Sequence, residues 1–203
     1  MIRLYAAPRT RAVRVLWLLE ELGLPCELEL VEFKPTGSTF FIQNTPTGKI
    51  PTLQDGEVEI CESGAIVEYL LETYGNGRLA PAPGSAARAE YLQWLHYSES
   101  TAFPPLGIVI WLTLYRQDAA DHPVLIEDAK QRAQTAFRFA EERLGDRPYL
   151  VGAEFTAADI MMGFTLFAAS TLGILEGFEK LQAYLLRITD REAFRTTMAR
   201  LPL

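Results

Sequence analysis

Cysteine, histidine and excess positive charge are all scarce in this chain. It contains two cysteines and two histidines in 203 residues, and Cys26 and Cys61 lie too far apart for a Cys-x-x-Cys pair or half of a zinc cluster. We therefore expect no disulfide framework, no dithiol redox centre and no metal site. The net charge of −7 and the isoelectric point near 5.0 argue against a general nucleic-acid-binding surface.

Long apolar runs are also missing. No stretch reaches the roughly 20 residues that span a bilayer, and the chain starts with strand-like residues 2–5 instead of a basic segment followed by an apolar one. We therefore expect a cytoplasmic globular protein that does not enter the membrane. With 49% hydrophobic residues, the chain can bury a substantial core, in one large domain or two small ones.

Strand and helix patterns alternate in the first third of the chain. A strand through Tyr5 precedes a helix over about residues 10–22, and a second strand starts at Cys26. A hairpin and a helix ending near Thr73 follow. The order βαβ and then ββα predicts a four-stranded mixed sheet with helices on its faces.

The remainder of the chain has helical periodicity. Residues 76–85 are rich in Gly and Pro and are predicted to be a linker. Beyond it, apolar residues recur at spacings of three and four, namely Ile126, Ala129, Ala133, Phe137, Ala140 and Leu144. This spacing predicts a helical bundle over residues 86–203, in which Pro104-Pro105 should break or sharply kink the first long helix.

Two neighbouring segments carry the candidate site. In Thr47–Leu53, the Ile50-Pro51 bond is a plausible cis peptide just before a strand, and such a bend leaves the N–H and C=O of Ile50 available to an extended ligand. Asp55-Gly56 is the predicted two-residue turn of the following hairpin.

The second segment, Glu62-Ser63, opens a helix. Ser63 is expected to cap it, the free N–H groups of its first turn would attract a carboxylate, and Glu62 can hold an ammonium group. Together the two segments suit a small zwitterionic peptide. The alternative is an ordinary capped helix start with a solvated glutamate.

In order and spacing, three segments together resemble the cytosolic glutathione S-transferases of the bacterial type, over essentially the whole chain. They are 14–25, 45–53 with 62–66, and 149–159. The resemblance implies a thioredoxin-like N-terminal domain over residues 1–75 that binds glutathione as co-substrate, and an all-helical domain over residues 86–203 that lines the electrophile pocket. It also implies a detoxifying transferase that forms a homodimer.

Carried over to these positions, the family's glutathione site has four residues here. The resemblance assigns the backbone of Ile50 to the cysteinyl part of glutathione, the cis-proline to Pro51, and the clamp of the γ-glutamyl end to Glu62 and Ser63. The glycine carboxylate would be held by a basic or amide side chain, for which the candidates are Lys49 first, then Gln43 and Lys34. Another possible anion site is the basic patch of Arg9, Arg11 and Arg14, which is otherwise a solvated face.

The resemblance offers two residues that could activate the thiol. Thr10 stands where serine-type and cysteine-type relatives have their catalytic residue, although its extra methyl group departs from that pattern, and it could be a plain helix cap. Tyr5 fits the tyrosine-type register and could instead be a packing residue. Lowering the thiol pKa from about 8.5 by two units raises the ionised fraction at pH 7 from about 3% to about 75%. One hydrogen bond to the thiolate, together with a helix N-terminus, is of the right size to supply the required 2.7 kcal/mol or so.

The pocket for the electrophile is expected in the helical part of the chain. Its candidates are the aromatic residues Tyr97, Phe103, Trp111 and Tyr115, all of which could alternatively be bundle core. Asp159, three residues after Thr156, belongs to a predicted capping box and is expected to be structural.

The predicted reaction is glutathione transfer to a hydrophobic electrophile. The alternatives are a glutathione-dependent peroxidase, disulfide reductase or isomerase, and a non-catalytic binding protein of the same architecture.

Overall fold

The computed structural model describes residues 1–32 and 45–202. The chain divides by its contacts into two compact units, Met1–Ala80 with Thr189–Leu203, and Pro81–Ile188. The break between Ala80 and Pro81 lies inside the predicted linker. Within the described residues the α-helices are α1 (Ala12–Leu22), α2 (Ser63–Tyr74), α3 (Ala86–Tyr97), α4 (Phe103–Ile110), α5 (Pro123–Leu144), α6 (Ala157–Thr171), α7 (Glu179–Thr189) and α8 (Glu192–Arg200).

The first unit contains the predicted four-stranded mixed sheet. Its strands are β1 (Ile2–Ala6), β2 (Cys26–Leu30), β3 (Thr52–Asp55) and β4 (Val58–Cys61), in the order β2-β1-β3-β4. β1 pairs with β2 in parallel and with β3 antiparallel, and β3 pairs antiparallel with β4. The βαβ and ββα order predicted for this part of the chain is thus confirmed.

The hairpin turn lies one residue later than predicted. Asp55 pairs with Val58, so the two-residue loop is Gly56-Glu57 and not Asp55-Gly56. Gly56 has a φ of 61°, a conformation that costs little only for a residue without Cβ. Because Asp55 ends β3, its carboxylate is available to α2, as discussed below.

α1 is buried on almost all sides because three elements of the first unit surround it. It packs against β1, α2 and α8, and Trp17 on α1 meets the ring of Phe194 on α8 at 4.7 Å between centroids. The sequence placed α8 with the helical part of the chain, over residues 86–203, whereas its contacts group it with the first unit.

The prolines of the first long helix do not break it. The chain stays helical from Ala86 to Tyr115 because α4 is flanked by two π-helical turns, 98–102 and 111–115, with right-handed helical dihedrals at each junction. The first of these turns is wider than an α-helical turn, since Phe103 N–H donates to Ser98 C=O, five residues earlier. It lies just before Pro104, which has no N–H of its own to donate. A π-helical turn is a common way to insert such a defect without ending a helix.

α6 is buried along most of its length in the second unit, as its all-round apolar sequence predicted. None of the helices in the described residues is long and apolar enough to cross a membrane.

Candidate active site

Strand register brings three loops to one edge of the sheet. Tyr5 pairs with Thr52, and Thr52 pairs with Cys61. Since these residues stand at the end of β1, the start of β3 and the end of β4, the segments 7–11, 45–51 and 62–63 leave the sheet side by side. Directly opposed residues in adjacent strands lie about 4.5–5.5 Å apart, so the two halves of the predicted glutathione site are neighbours.

The turn before β3 is held by the buried hydroxyl of Thr52. This hydroxyl donates to Lys49 C=O at 2.7 Å and lies 2.8 Å from the hydroxyl of Thr47. The Ile50–Pro51 peptide is cis, as anticipated. Among the described residues, no hydrogen-bond partner is found for the backbone N–H and C=O of Ile50, which leaves both groups to an extended ligand.

The start of α2 has an unusual backbone. Glu62, the residue before the helix, has φ 70° and ψ 112°, outside the left-handed well that a non-glycine residue tolerates best. Such strain, costing on the order of 1–3 kcal/mol, tends to occur at functional sites. The exposed carboxylate of Glu62 makes no hydrogen bond to the described residues.

Ser63 does not cap α2, contrary to expectation. No side chain caps this helix in the described structure, so the N–H groups of its first turn remain open to an anion. Ser63 is 3% exposed, and its hydroxyl oxygen instead accepts a hydrogen bond from Nη1 of Arg14 at 3.1 Å.

Arg14 is not part of a solvated basic patch on α1, which was one interpretation of the sequence. Its side chain is fully buried and reaches from α1 to the first residue of α2. The sequence carried a signal for this: Arg14 lies within an otherwise apolar run, 12–19, and a cation in such a run requires a buried partner. Its partner, 49 residues away, was not predictable from that run.

The hydroxyl of Thr10 is already used within its own loop. It donates to Ala7 C=O at 2.6 Å and accepts from the N–H of Ala12, the first residue of α1, at 3.4 Å. Thr10 is half-buried and follows Arg9, which has a φ of 62°. Thr10 therefore supports the start of α1 while part of its side chain stays accessible. Its hydroxyl must break the hydrogen bond to Ala7 C=O before it can donate to a ligand.

Tyr5 points away from the buried face of β1. Ile2, Leu4 and Ala6 are buried, whereas Arg3 and Tyr5 on the opposite face are only half-buried. The Tyr5 hydroxyl donates to the side-chain carbonyl of Gln54 at 3.2 Å.

The candidates for the glycine carboxylate are only partly described. The side chain of Lys49 is exposed and makes no polar contact with the described residues. Lys34 and Gln43 lie outside the described residues.

The four aromatic candidates have ring contacts in three different places of the helical unit. Tyr97 packs on Trp94 and Phe139, and its hydroxyl donates to Ala136 C=O at 3.1 Å; burial raises the pKa of Tyr97. Phe103, 7% exposed, stacks on Phe164. Trp111 and Tyr115 are half-buried and contact each other at 5.9 Å.

Asp159 has the structural surroundings expected of it. Its carboxylate accepts four hydrogen bonds, which come from the N–H groups of Leu150 and Thr156 and from the hydroxyls of Thr156 and Tyr184. Burial raises the pKa of Asp159, and these hydrogen bonds oppose the rise. In residues 1–32 and 45–202, no three His, Cys, Asp or Glu side chains are grouped as metal ligands.

Known proteins share both the sequence and the fold. The family models for the N-terminal and C-terminal domains of glutathione S-transferases match residues 1–72 and 123–187. Glutathione S-transferase 3 of Zea mays is 31% identical over 100% of this chain and 95% of its own length. Glutathione S-transferase GstB of Escherichia coli K12 is 30% identical over 92% of this chain and 91% of its own.

A solved structure gives the same picture. A glutathione transferase family member from Pseudomonas fluorescens Pf-5, determined with two glutathione molecules bound, superimposes with a TM-score of 0.83 at 28% identity, covering 97% of this chain and 92% of its own.

Proposed function

The chain belongs to the glutathione S-transferase family, and on this premise we propose that it activates the thiol of glutathione for attack on a hydrophobic electrophile. One observation supports the proposal above all. Within the described residues, the backbone N–H and C=O of Ile50 have no partner and α2 has no side-chain cap, and these two groups lie at the same edge of the sheet, with Ser63 at the start of α2. An extended peptide with a free carboxylate complements both.

In the proposed complex, glutathione lies along that edge. The cysteinyl N–H and C=O pair with the backbone of Ile50, in the manner of an added strand. The carboxylate of the γ-glutamyl group meets Ser63 and the N–H groups of α2, and the side chain of Glu62 binds its ammonium group. Lys49 is the proposed partner of the glycine carboxylate.

Thr10 is the proposed donor to the thiolate. It should lower the thiol pKa by less than a wholly new hydrogen bond would, because its hydroxyl already has an acceptor. Its proton exchanges a neutral carbonyl acceptor for a charged one, which is worth about 1 kcal/mol net, or about 0.7 pKa unit. The N-terminus of α1 adds about 0.2–0.7 unit. The pKa of bound glutathione then falls from about 8.5 to about 7.3, and about a third of it is thiolate at pH 7.

The chemistry needs no nucleophile from the protein. The thiol releases its proton to solvent, and the sulfur lone pair forms the new bond to the electrophilic carbon while a leaving group departs or a conjugated bond shifts. Holding thiolate and electrophile together accounts for the catalysis. For the electrophile we retain Trp111 and Tyr115, because Tyr97 and Phe103 pack inside the helical unit.

Retention on immobilised glutathione and conjugation of a chlorodinitrobenzene-type acceptor test this function. We expect both, and failure of both with folded protein would overturn it. Parallel assays with an organic peroxide and with hydroxyethyl disulfide distinguish transfer from peroxidase and reductase activity. Light scattering tests the proposed homodimer, and cell fractionation the proposed cytoplasmic location.

A further inference from the structure

The hydroxyl of Ser63 has a donor partner but, in the part of the chain that the structure describes, no acceptor for its own proton. A serine hydroxyl has one donor and two acceptor positions. Arg14 donates to the Ser63 oxygen, so the hydroxyl proton must point elsewhere. Among the described residues it finds no acceptor, although the side chain is buried.

The electrostatics around Ser63 also favour an anionic ligand. A guanidinium group carries only donors and stays protonated, and that of Arg14 is buried beside the first turn of α2. The N-terminus of a helix also favours an anion. A buried cation, a helix N-terminus and an O–H group that has no acceptor in residues 1–32 and 45–202 thus lie next to one another.

We propose that Arg14 is a positioning residue that commits the Ser63 hydroxyl to donate, and thereby selects glutathione by the α-carboxylate of its γ-glutamyl group. This inference rests on the proposed function. Without Arg14, the guanidinium no longer occupies a lone pair of the Ser63 oxygen, so the hydroxyl can rotate and meet the ligand with that lone pair, which repels a carboxylate. In this proposal Arg14 does not contact glutathione. It orients the Ser63 hydroxyl and adds positive charge beside it.

Two ligands separate positioning from mere structural support. Glutathione is compared by calorimetry with 4-aminobutyryl-cysteinyl-glycine, which lacks only the α-carboxylate. We expect wild type to prefer glutathione by about 10- to 100-fold, the range for hydrogen bonds to a charged group. Arg14→Gln should reduce this preference to within about threefold, because it weakens the binding of glutathione and leaves the affinity for the analogue nearly unchanged.

Three further variants complete the test. Arg14→Lys keeps the charge and a donor group and should restore part of the preference. Ser63→Ala should reduce the preference to within about threefold, because the N–H groups of α2 still favour the carboxylate. Arg195→Gln removes a positive charge from an exposed pair with Asp190 and should behave as wild type. In steady-state kinetics, Arg14→Gln should raise KM for glutathione with little change in kcat.

The outcomes distinguish the two proposals. If Arg14→Gln weakens both ligands equally, or if Ser63→Ala keeps the full preference, the positioning role is overturned. Should Arg14→Gln fail to fold, as removal of a buried charge can cause, Arg14→Lys and Ser63→Ala still decide. A folded wild type that binds neither ligand would overturn the proposed function before Arg14 is in question.

Discussion

Thr10 is a catalytic candidate whose hydroxyl also supports the start of a helix. Its hydroxyl stabilises the loop through Ala7 and the start of α1 through Ala12. These two hydrogen bonds orient the hydroxyl, but it gives up the one to Ala7 when it turns to a thiolate. Its contribution to activation is therefore the difference between two acceptors.

We predict that Thr10→Ala raises the pKa of bound glutathione by about 0.7 unit. Thr10→Ser should keep the pKa near the wild-type value because it retains the hydroxyl. The measurement is the ultraviolet absorbance of the thiolate against pH, in the presence of saturating glutathione. Tyr5→Phe serves as the comparison: if it raises the pKa and Thr10→Ala does not, then Tyr5 is the activating residue.

A second residue-scale prediction concerns Asp159. An asparagine there has one acceptor oxygen, and its NH2 group faces one backbone N–H and one hydroxyl. The hydrogen bond from that N–H is lost, and the hydroxyl must reverse from donor to acceptor. Asp159→Asn should lower the free energy of unfolding by about 2–4 kcal/mol, measured by urea titration. Tyr184→Phe removes one donor and should cost about 1.5 kcal/mol, at the lower end of the range for a hydrogen bond to a charged group. Equal losses in the two variants would contradict this account of the carboxylate.

At the scale of elements, α2 is held at both ends. Arg14 contacts its first residue, and near its other end the hydroxyls of Tyr69 and Tyr74 both donate to Oδ2 of Asp55. The hairpin turn at Gly56-Glu57 makes this possible, because it leaves Asp55 at the end of β3. The helix that begins with Ser63 is thus oriented from the sheet as well as from α1.

The contact with Asp55 predicts a measurable titration. The hydrogen bond to Asp55 raises the pKa of Tyr74 to about 12. Because the folded-state value lies above the ordinary one near 10, this contact stabilises the fold fully below pH 10 and loses its effect as the pH rises toward 12. Asp55→Ala should return the pKa of Tyr74 toward 10.

Because the chain has eight tyrosines, the signal is the difference between titrations with and without Tyr74→Phe. Glu57→Ala, which removes a carboxylate from the same turn, should leave the pKa of Tyr74 unchanged. If Tyr74 titrates alike in Asp55→Ala and wild type, Asp55 does not hold α2.

Local patterns predicted the elements well and their contacts poorly. The sheet, α1, α2 and the capping box of α6 follow from periodicity, turn residues and caps within a few positions of each other. Local patterns did not predict that Ser63 pairs with Arg14, or that the helix continues through Pro104-Pro105. The first depends on packing of α1 against α2, and the second on a π-helical turn whose cost is small enough for surrounding contacts to decide.

At the scale of the whole molecule, the chain returns to its first unit at the end. α8 lies on α1, where Arg191 makes two hydrogen bonds of 2.6 and 2.7 Å to Glu21, and Arg200 contacts Glu20 at 2.5 Å. The Glu21 side chain is 8% exposed. Glu21 also accepts a hydrogen bond from the indole N–H of Trp17 at 3.1 Å, but a nearly buried carboxylate that loses its charged partner is strongly destabilising. The first unit therefore depends on a helix that follows the entire second unit in the sequence.

We therefore predict that a fragment of residues 1–80 does not fold stably alone, and that a peptide of residues 189–203 restores its cooperative unfolding. Trp17 is the only tryptophan of that fragment, and it contacts both Phe194 and Glu21, so its fluorescence reports the docking of the peptide on α1. A peptide carrying Arg191→Ala and Phe194→Ala should bind at least about tenfold more weakly, since it lacks both the ion pair and the ring contact. If Trp17 emission and the urea midpoint of the fragment are the same with and without the wild-type peptide, α8 merely covers α1, and the first unit has a self-sufficient core within residues 1–80.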